Sequence, residues 1–176
     1  MATSTLHSHI DAAVQMQKRA DSAYLVFGKT SEWDNDRNPP NEDERTEKIS
    51  EIIGYKKLSQ FSLARPMKEG ETESNTDYPV ITYKDMKWVL IPSDKAYEEE
   101  ARWLYAEAEI LPSDFELGMY RQVGVHLDLE PKSGVTKLNL NPDDVKNEGV
   151  LQFFENREPQ NRGNAVYVLE QFMVKV

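Results

Sequence analysis

The sequence predicts an α+β fold, mostly antiparallel β sheet or sandwich with one helix at the N-terminus. Three observations lead there. Apolar runs of strand length, such as Tyr24–Phe27 and Trp88–Ile91, recur along the chain. Clusters of Gly, Pro, Asn and Asp punctuate them. The first twenty residues instead space their apolar positions by three and four. A length of 176 residues is the size of one domain, so 1–176 is read as a single unit of organisation.

Each element has a local reason. Thr5 or Ser4 can cap a helix from about Leu6 to Ala20, within an N-terminal segment 1–22. Leu6, Ile10, Ala13 and Met16 or Gln17 give it one modestly apolar face, which places it on a surface. Ala23–Phe27 is a strand stopped by Gly28. Residues 30–48 read as loop, because Pro39-Pro40 and the Asn/Asp cluster before them forbid regular structure. A short helical stretch around Thr46–Tyr55 would end at Gly54, and residues 68–79 form a second polar loop. Val80–Tyr83 and Met86–Ile91 make a hairpin across Lys84-Asp85. Residues 96–111 fit two patterns, a helical stripe (Tyr97, Ala101, Leu104, Tyr105, Ala108) and a strand alternation (Arg102, Leu104, Ala106, Ala108, Ile110). Their β neighbours favour a strand over Arg102–Leu111. Tyr120–Leu129, Val150–Phe154 and Ala165–Val176 complete the strands, with Gly134, Gly149 and Gly163 at the connections.

Charge excludes several function classes. Lys and Arg number 21 against 31 Asp and Glu, a net charge of −10. Nucleic acid needs a basic footprint and an anionic membrane surface a polybasic one, so neither is an expected partner. Half of the excess lies in Glu32–Glu51, which holds eight acids against three bases. There is no cysteine, hence no disulfide, thiolate site or thiol nucleophile. No apolar stretch approaches the roughly 20 residues of a membrane span, and no secretory signal pattern opens the chain. A cytoplasm-like site of synthesis and assembly is the expectation.

The motifs that imitate chemistry each fail at a required position. Gly28-Lys29-Thr30 lacks the first glycine of a phosphate loop, since Ala23 stands there. Asp34-Asn-Asp36 opens like a calcium loop but meets Pro39 and Arg45 where Gly and Glu belong, which leaves at most an irregular cation site. His7 and His9 sit near a helix start, far in sequence from His126. Glu98-Glu99-Glu100 and Asp114/Glu116 are neighbours expected in so acidic a chain, and consecutive residues do not face each other. No Gly-x-Ser-x-Gly elbow occurs. The expectation is no catalytic residue, no cofactor and no metal.

Two segments are more specific. One is Tyr24-Leu-Val-Phe-Gly28 followed by Trp33-Asp-Asn-Asp36 and Pro39-Pro40; the other is Phe153-Phe-Glu-Asn-Arg157 followed by Val168-Leu-Glu-Gln-Phe172. Between them stand Tyr120-Arg-Gln-Val-Gly-Val125 and the Arg102–Leu111 segment. In this order they resemble the gene-eight baseplate wedge proteins of T-even-type contractile-tailed bacteriophages. The match runs from about Tyr24 to the end through scattered short stretches, and the T-even protein is considerably longer before the Lys84-Asp85 hairpin. The resemblance implies a non-enzymatic virion subunit that forms a homodimer and joins other baseplate wedge and tail proteins.

The candidate interface residues follow. Trp33, Asp34, Asp36, Pro39 and Pro40 place a large apolar plate in a proline-stiffened loop, where little ordering entropy opposes binding. Asn156-Arg157 reads as a hairpin turn, with Arg157 reaching a carboxylate or carbonyl. In Ala165–Val176 both faces are apolar, and Tyr167, Leu169 or Met173 is expected to meet another subunit. Two rival readings make different demands. A tail-associated peptidoglycan hydrolase needs a pair of carboxylates across an open cleft. A carbohydrate or receptor-binding module needs Trp88 and Trp103 to line a groove.

Overall fold

A computed structural model describes residues 2–176. The chain runs through α1 (Leu6–Gln17), β1 (Tyr24–Gly28), β2 (Gly54–Lys57), β3 (Gln60–Pro66), β4 (Val80–Tyr83), β5 (Met86–Ile91), β6 (Trp103–Ile110), β7 (Gly118–Leu127), β8 (Glu130–Pro131), β9 (Asn139–Leu140), β10 (Val145–Asn147), β11 (Val150–Arg162) and β12 (Val168–Lys175). Two five-stranded sheets have the orders β11-β7-β1-β2-β9 and β12-β6-β3-β5-β4, and β10 pairs with β8. The fold is α+β with one N-terminal helix and mostly antiparallel sheet, as the sequence predicts.

The chain forms two compact units. One takes the residues up to Ala20, Gln60–Glu107 and Gln171–Val176. Here Thr5 caps α1 by accepting the Ser8 N–H at 3.2 Å. The helix buries Ile10, Ala13 and Val14 and packs against β3. Phe61, Leu63 and Arg65 alternate along β3 as buried side chains, so a charged residue stands in an apolar register. Ala64, Trp88, Leu90 and Tyr105 form a second buried cluster, with Trp103 and Met173 packed partly against it. The Lys84-Asp85 hairpin is as expected: φ is 47° and 62° at the two turn residues, the left-handed pair that suits the twist of a two-residue connection.

The other unit comprises Asp21–Ser59 and Ala108–Glu170. β1 lies between β2 and β7 and is buried over its whole length. Tyr24 and Val26 join Ile49, Tyr55, Leu129 and Leu140 on one face. On the other, Phe27 meets Phe115 and Tyr120 edge-on, with ring centroids 5.0 and 5.5 Å away. The buried guanidinium of Arg162 lies 5.3 Å from the Phe27 ring and donates to the Glu116 carbonyl.

Three local readings are corrected and one ambiguity is resolved as expected. Residues 46–53 form no helix: Glu51 takes φ 47°, and Gly54 begins β2 instead of ending a helix. β2 and β3 have no counterpart in the sequence reading, because Lys56, Lys57, Arg65 and Pro66 mask their apolar alternation. Residues 96–100 are turns and Trp103–Ile110 is a strand, which resolves the two patterns in favour of the expected strand. Asn156-Arg157 is not a turn, since β11 continues through it to Arg162. Its register against β7 steps from Asn156↔Gln122 to Gln160↔Tyr120, so two extra residues are taken up in a bulge that contains Pro159. A residue without an N–H is tolerated at such a place.

Candidate functional site

β11 is an edge strand of its sheet, and loop 30–42 lies along it. The contacts are specific. Trp33 donates its indole N–H to the Arg157 carbonyl at 3.0 Å. The Asn156 amide donates to the Pro40 carbonyl at 2.9 Å, and its backbone N–H donates to Glu42 at 2.8 Å. A long edge with open N–H and C=O groups invites unwanted pairing, and this loop supplies partners for it.

The loop is held from β7. Arg121 is 4% exposed and donates to both oxygens of Asp36, at 2.7 and 2.8 Å, with a third bond to the Thr30 carbonyl at 2.6 Å. Asp36 also accepts the Trp33 backbone N–H at 2.9 Å. The hydrogen bonds from Arg121 hold the Asp36 carboxyl below its ordinary pKa. Gln122 bridges the next strand position, accepting from Ser50 and donating to Asn156 at 2.8 Å. Lys29 lies 5.0 Å from the Trp33 ring. Trp33 is therefore half-buried against its own chain, with one edge left over.

The C-terminal segment joins this arrangement through Arg157. Its guanidinium donates to Glu170 at 2.6 Å and to Glu155 at 3.0 Å. Glu170, 4% exposed, also accepts the Tyr120 hydroxyl at 2.6 Å. Burial opposes the charge on Arg157, but Glu170 outweighs it and the arginine pKa is raised. Burial, and then the negative charge of Glu170, push the Tyr120 hydroxyl up. Glu170 is the residue that interrupts the apolar face of this segment, and the network explains why. Just before it in sequence, Tyr167 is 70% and Leu169 55% exposed. Met173 behaves differently and packs partly on the Trp88 cluster.

Trp33, Asp36, Pro40 and Arg157 are thus brought together, while Asp34 and Pro39 stay on the loop surface, exposed and half-exposed. Arg121 and Gln122 went unassigned. A signal existed: a charged residue inside a strand otherwise as apolar as Tyr120–Leu127 calls for a carboxylate partner. Both Asp36 oxygens are engaged by Arg121, and among the described residues no group of three or more His, Asp and Glu could hold a metal ion. Among the described residues no helix is long and apolar enough to cross a membrane. Gly28 ends β1 as expected, and no helix follows it to complete a phosphate loop.

The profile of the family described as baseplate wedge 3 tail fiber network component matches residues 1–176. The chain belongs to this family. It is also 42% identical over 174 residues to Virion protein 3 of Enterococcus phage phiEF24C, covering 99% of this chain and 94% of that one. The baseplate wedge resemblance seen in the sequence agrees with both findings. This is a structural protein of a phage virion, a component of its baseplate and tail-fibre region.

Proposed function

We propose that the chain is a non-enzymatic connector of a contractile-tail baseplate wedge, which joins neighbouring baseplate and tail-fibre proteins by burying surface against them. The observation that carries this is the placement of Tyr167 and Leu169. Two large, highly exposed apolar side chains lie just before Glu170, whose buried bonds to Arg157 and Tyr120 fix the backbone where they end. Apolar groups on a braced segment bind with little ordering cost. The exposed edge of Trp33 and the adjoining Asp34 and Pro39 extend the surface, and a homodimer within the assembly is one use of it. The chain acts as one wedge-like domain, because each compact unit is built from separated segments that cannot be excised as one piece. Assembly from a soluble pool in the host cytoplasm suits a net charge of −10, which keeps free copies apart.

The rival readings find less support. Trp88 is 5% exposed and stacks edge-on with Trp103 at 4.9 Å, so it does not line a sugar groove. The buried carboxylate Glu170 is held ionised by Arg157, which does not suit a general acid. The test is the double variant Tyr167→Ala/Leu169→Ala. Its stability should change by less than about 1 kcal/mol, as for exposed positions, while its incorporation into particles by complementation should fall at least about tenfold, the effect of losing about 1.4 kcal/mol of binding. Normal incorporation would refute the surface. Truncation after Asn164 should abolish assembly, and folding with it, since Glu170 and Phe172 are buried.

A further inference from the structure

A second concave surface lies on the same unit as the Trp33 loop but shares only Thr30 with its contacts. It is a cleft of about 800 Å³ whose lining includes the apolar Ile52, Ile53, Leu117 and Met119 and the acidic Glu116 and Asp143. Leu117 is 48% and Met119 44% exposed, so the cleft presents large apolar side chains to solvent. No lysine or arginine lines it. Glu51, a third lining carboxylate, is satisfied by Ser31 and Thr30, and the nearest cation, Lys29, lies 3.8 Å from it. The adjoining Asp144 is paired with Lys137 at 2.7 Å. Glu116 and Asp143 have no ion-pair partner among the described residues.

The walls are preformed. Arg162 holds the Glu116 carbonyl at 2.8 Å from beneath. Asn139 donates to the Asp114 carbonyl at 2.9 Å. Residues 141–144 are closed by a reciprocal capping box, with the Asn141 N–H on Asp144 at 2.8 Å. Gly118, at φ 144° with open space where a Cβ would stand, lets the chain pass between Leu117 and Met119. A cleft lined by apolar side chains and by carboxylates without ion-pair partners selects an apolar segment flanked by cations.

We infer that this cleft seats a segment of a neighbouring baseplate or tail-fibre protein that presents apolar side chains beside lysine or arginine. The inference rests on the connector reading. A second copy of this chain is the poorer occupant, since it brings ten further net negative charges toward the carboxylates.

Oxidation of Met119 by hydrogen peroxide, followed by mass spectrometry, tests it on the full chain free in solution and in purified particles. Met119 should oxidise readily in the free chain and at least about fivefold more slowly in particles, with normal rates returning once particles are dissociated. The double charge reversal Glu116→Lys/Asp143→Lys should leave the thermal unfolding of the free chain unchanged and lower its incorporation by a similar factor. Equal Met119 oxidation in free chain and particles overturns the inference and leaves the connector reading standing. Protection of Met119 in the free chain at dimer mass overturns the choice of occupant. Absence of the chain from purified baseplates overturns the connector reading itself.

Discussion

Loops 30–48 and 68–79 look alike in sequence, both polar, acidic and rich in turn residues, and both are clamped in the same way from different units. In each, one buried arginine on a strand grips one loop carboxylate with two donors. Arg121 of β7 holds Asp36, and Arg65 of β3, 5% exposed, holds Glu71 at 2.7 and 2.8 Å. They differ in what surrounds the clamp. Arg65 also donates to Glu99 at 2.8 Å, and Lys68 joins Glu99 at 2.9 Å, so the second loop depends on a charge network. The first loop adds neutral bonds from Trp33 and Asn156 along the edge of β11. One loop is fastened mainly by charge, the other by charge and by side-chain bonds to backbone groups. The second device leaves fewer open groups and suits a loop that must cover a sheet edge.

Removing each arginine separates the two designs. Arg65→Met should be the costliest change, about 3 kcal/mol, because it leaves Glu71 without a cation and Glu99 with Lys68 alone. Arg121→Met leaves a more exposed carboxylate and keeps the Trp33 and Asn156 bonds, so about 2 kcal/mol is expected. Chemical denaturation with an unchanged slope reads both. Equal losses would mean that the neutral bonds contribute nothing.

Acid should sharpen the contrast. Arg65 holds the Glu71 carboxyl down to about 2, against an ordinary value of 4.5. Its stabilising contribution is fully present above the unfolded value and is lost as pH falls from about 4.5 toward 2. Asp36 is also depressed, from 3.8, with Arg121 as the leading cause, so its loss begins lower. Hydrogen exchange corrected for intrinsic rates should therefore show loop 68–79 loosening before loop 30–48 as pH drops below 4.5. The reverse order would contradict the assignment of the clamps.

Neither clamp was legible in the sequence. Arg121 and Asp36 are 85 positions apart, and only the folded sheet brings them together. Arg65 is only 6 positions from Glu71, but it stands in a buried register of β3 that the sequence did not disclose. Features set by neighbours along the chain fared better. Thr5 caps its helix, Lys84-Asp85 turns the hairpin, and Trp103–Ile110 is a strand. Features that need a partner from elsewhere were misread. Ile49 is drawn into the Tyr24 cluster and the expected helix over 46–55 does not form. Arg65 stands in a buried register and hid β3. Arg157 sits in a bulge that gives its carbonyl to Trp33 and its guanidinium to Glu170, where a turn was expected. The residues of the site were partly visible, but the arginines that position them were not.

The smallest expected effect isolates the edge cover itself. Trp33→Phe keeps an aromatic plate in the loop and removes only the indole N–H that meets the Arg157 carbonyl. The net worth of one such neutral bond is about 1 kcal/mol. Asp36, Arg121 and Asn156 remain in place, so the loop should stay folded, and global stability should fall by about that amount. The local effect should exceed the global one at the bulge, where the Arg157 carbonyl is exposed to water or to another strand. Exchange at residues 155–162 should quicken, and self-association at high concentration should rise as the edge opens. If the variant loses no stability and shows unaltered exchange there, the indole bond is not what closes the edge, and the Asn156 bonds to Pro40 and Glu42 carry that task.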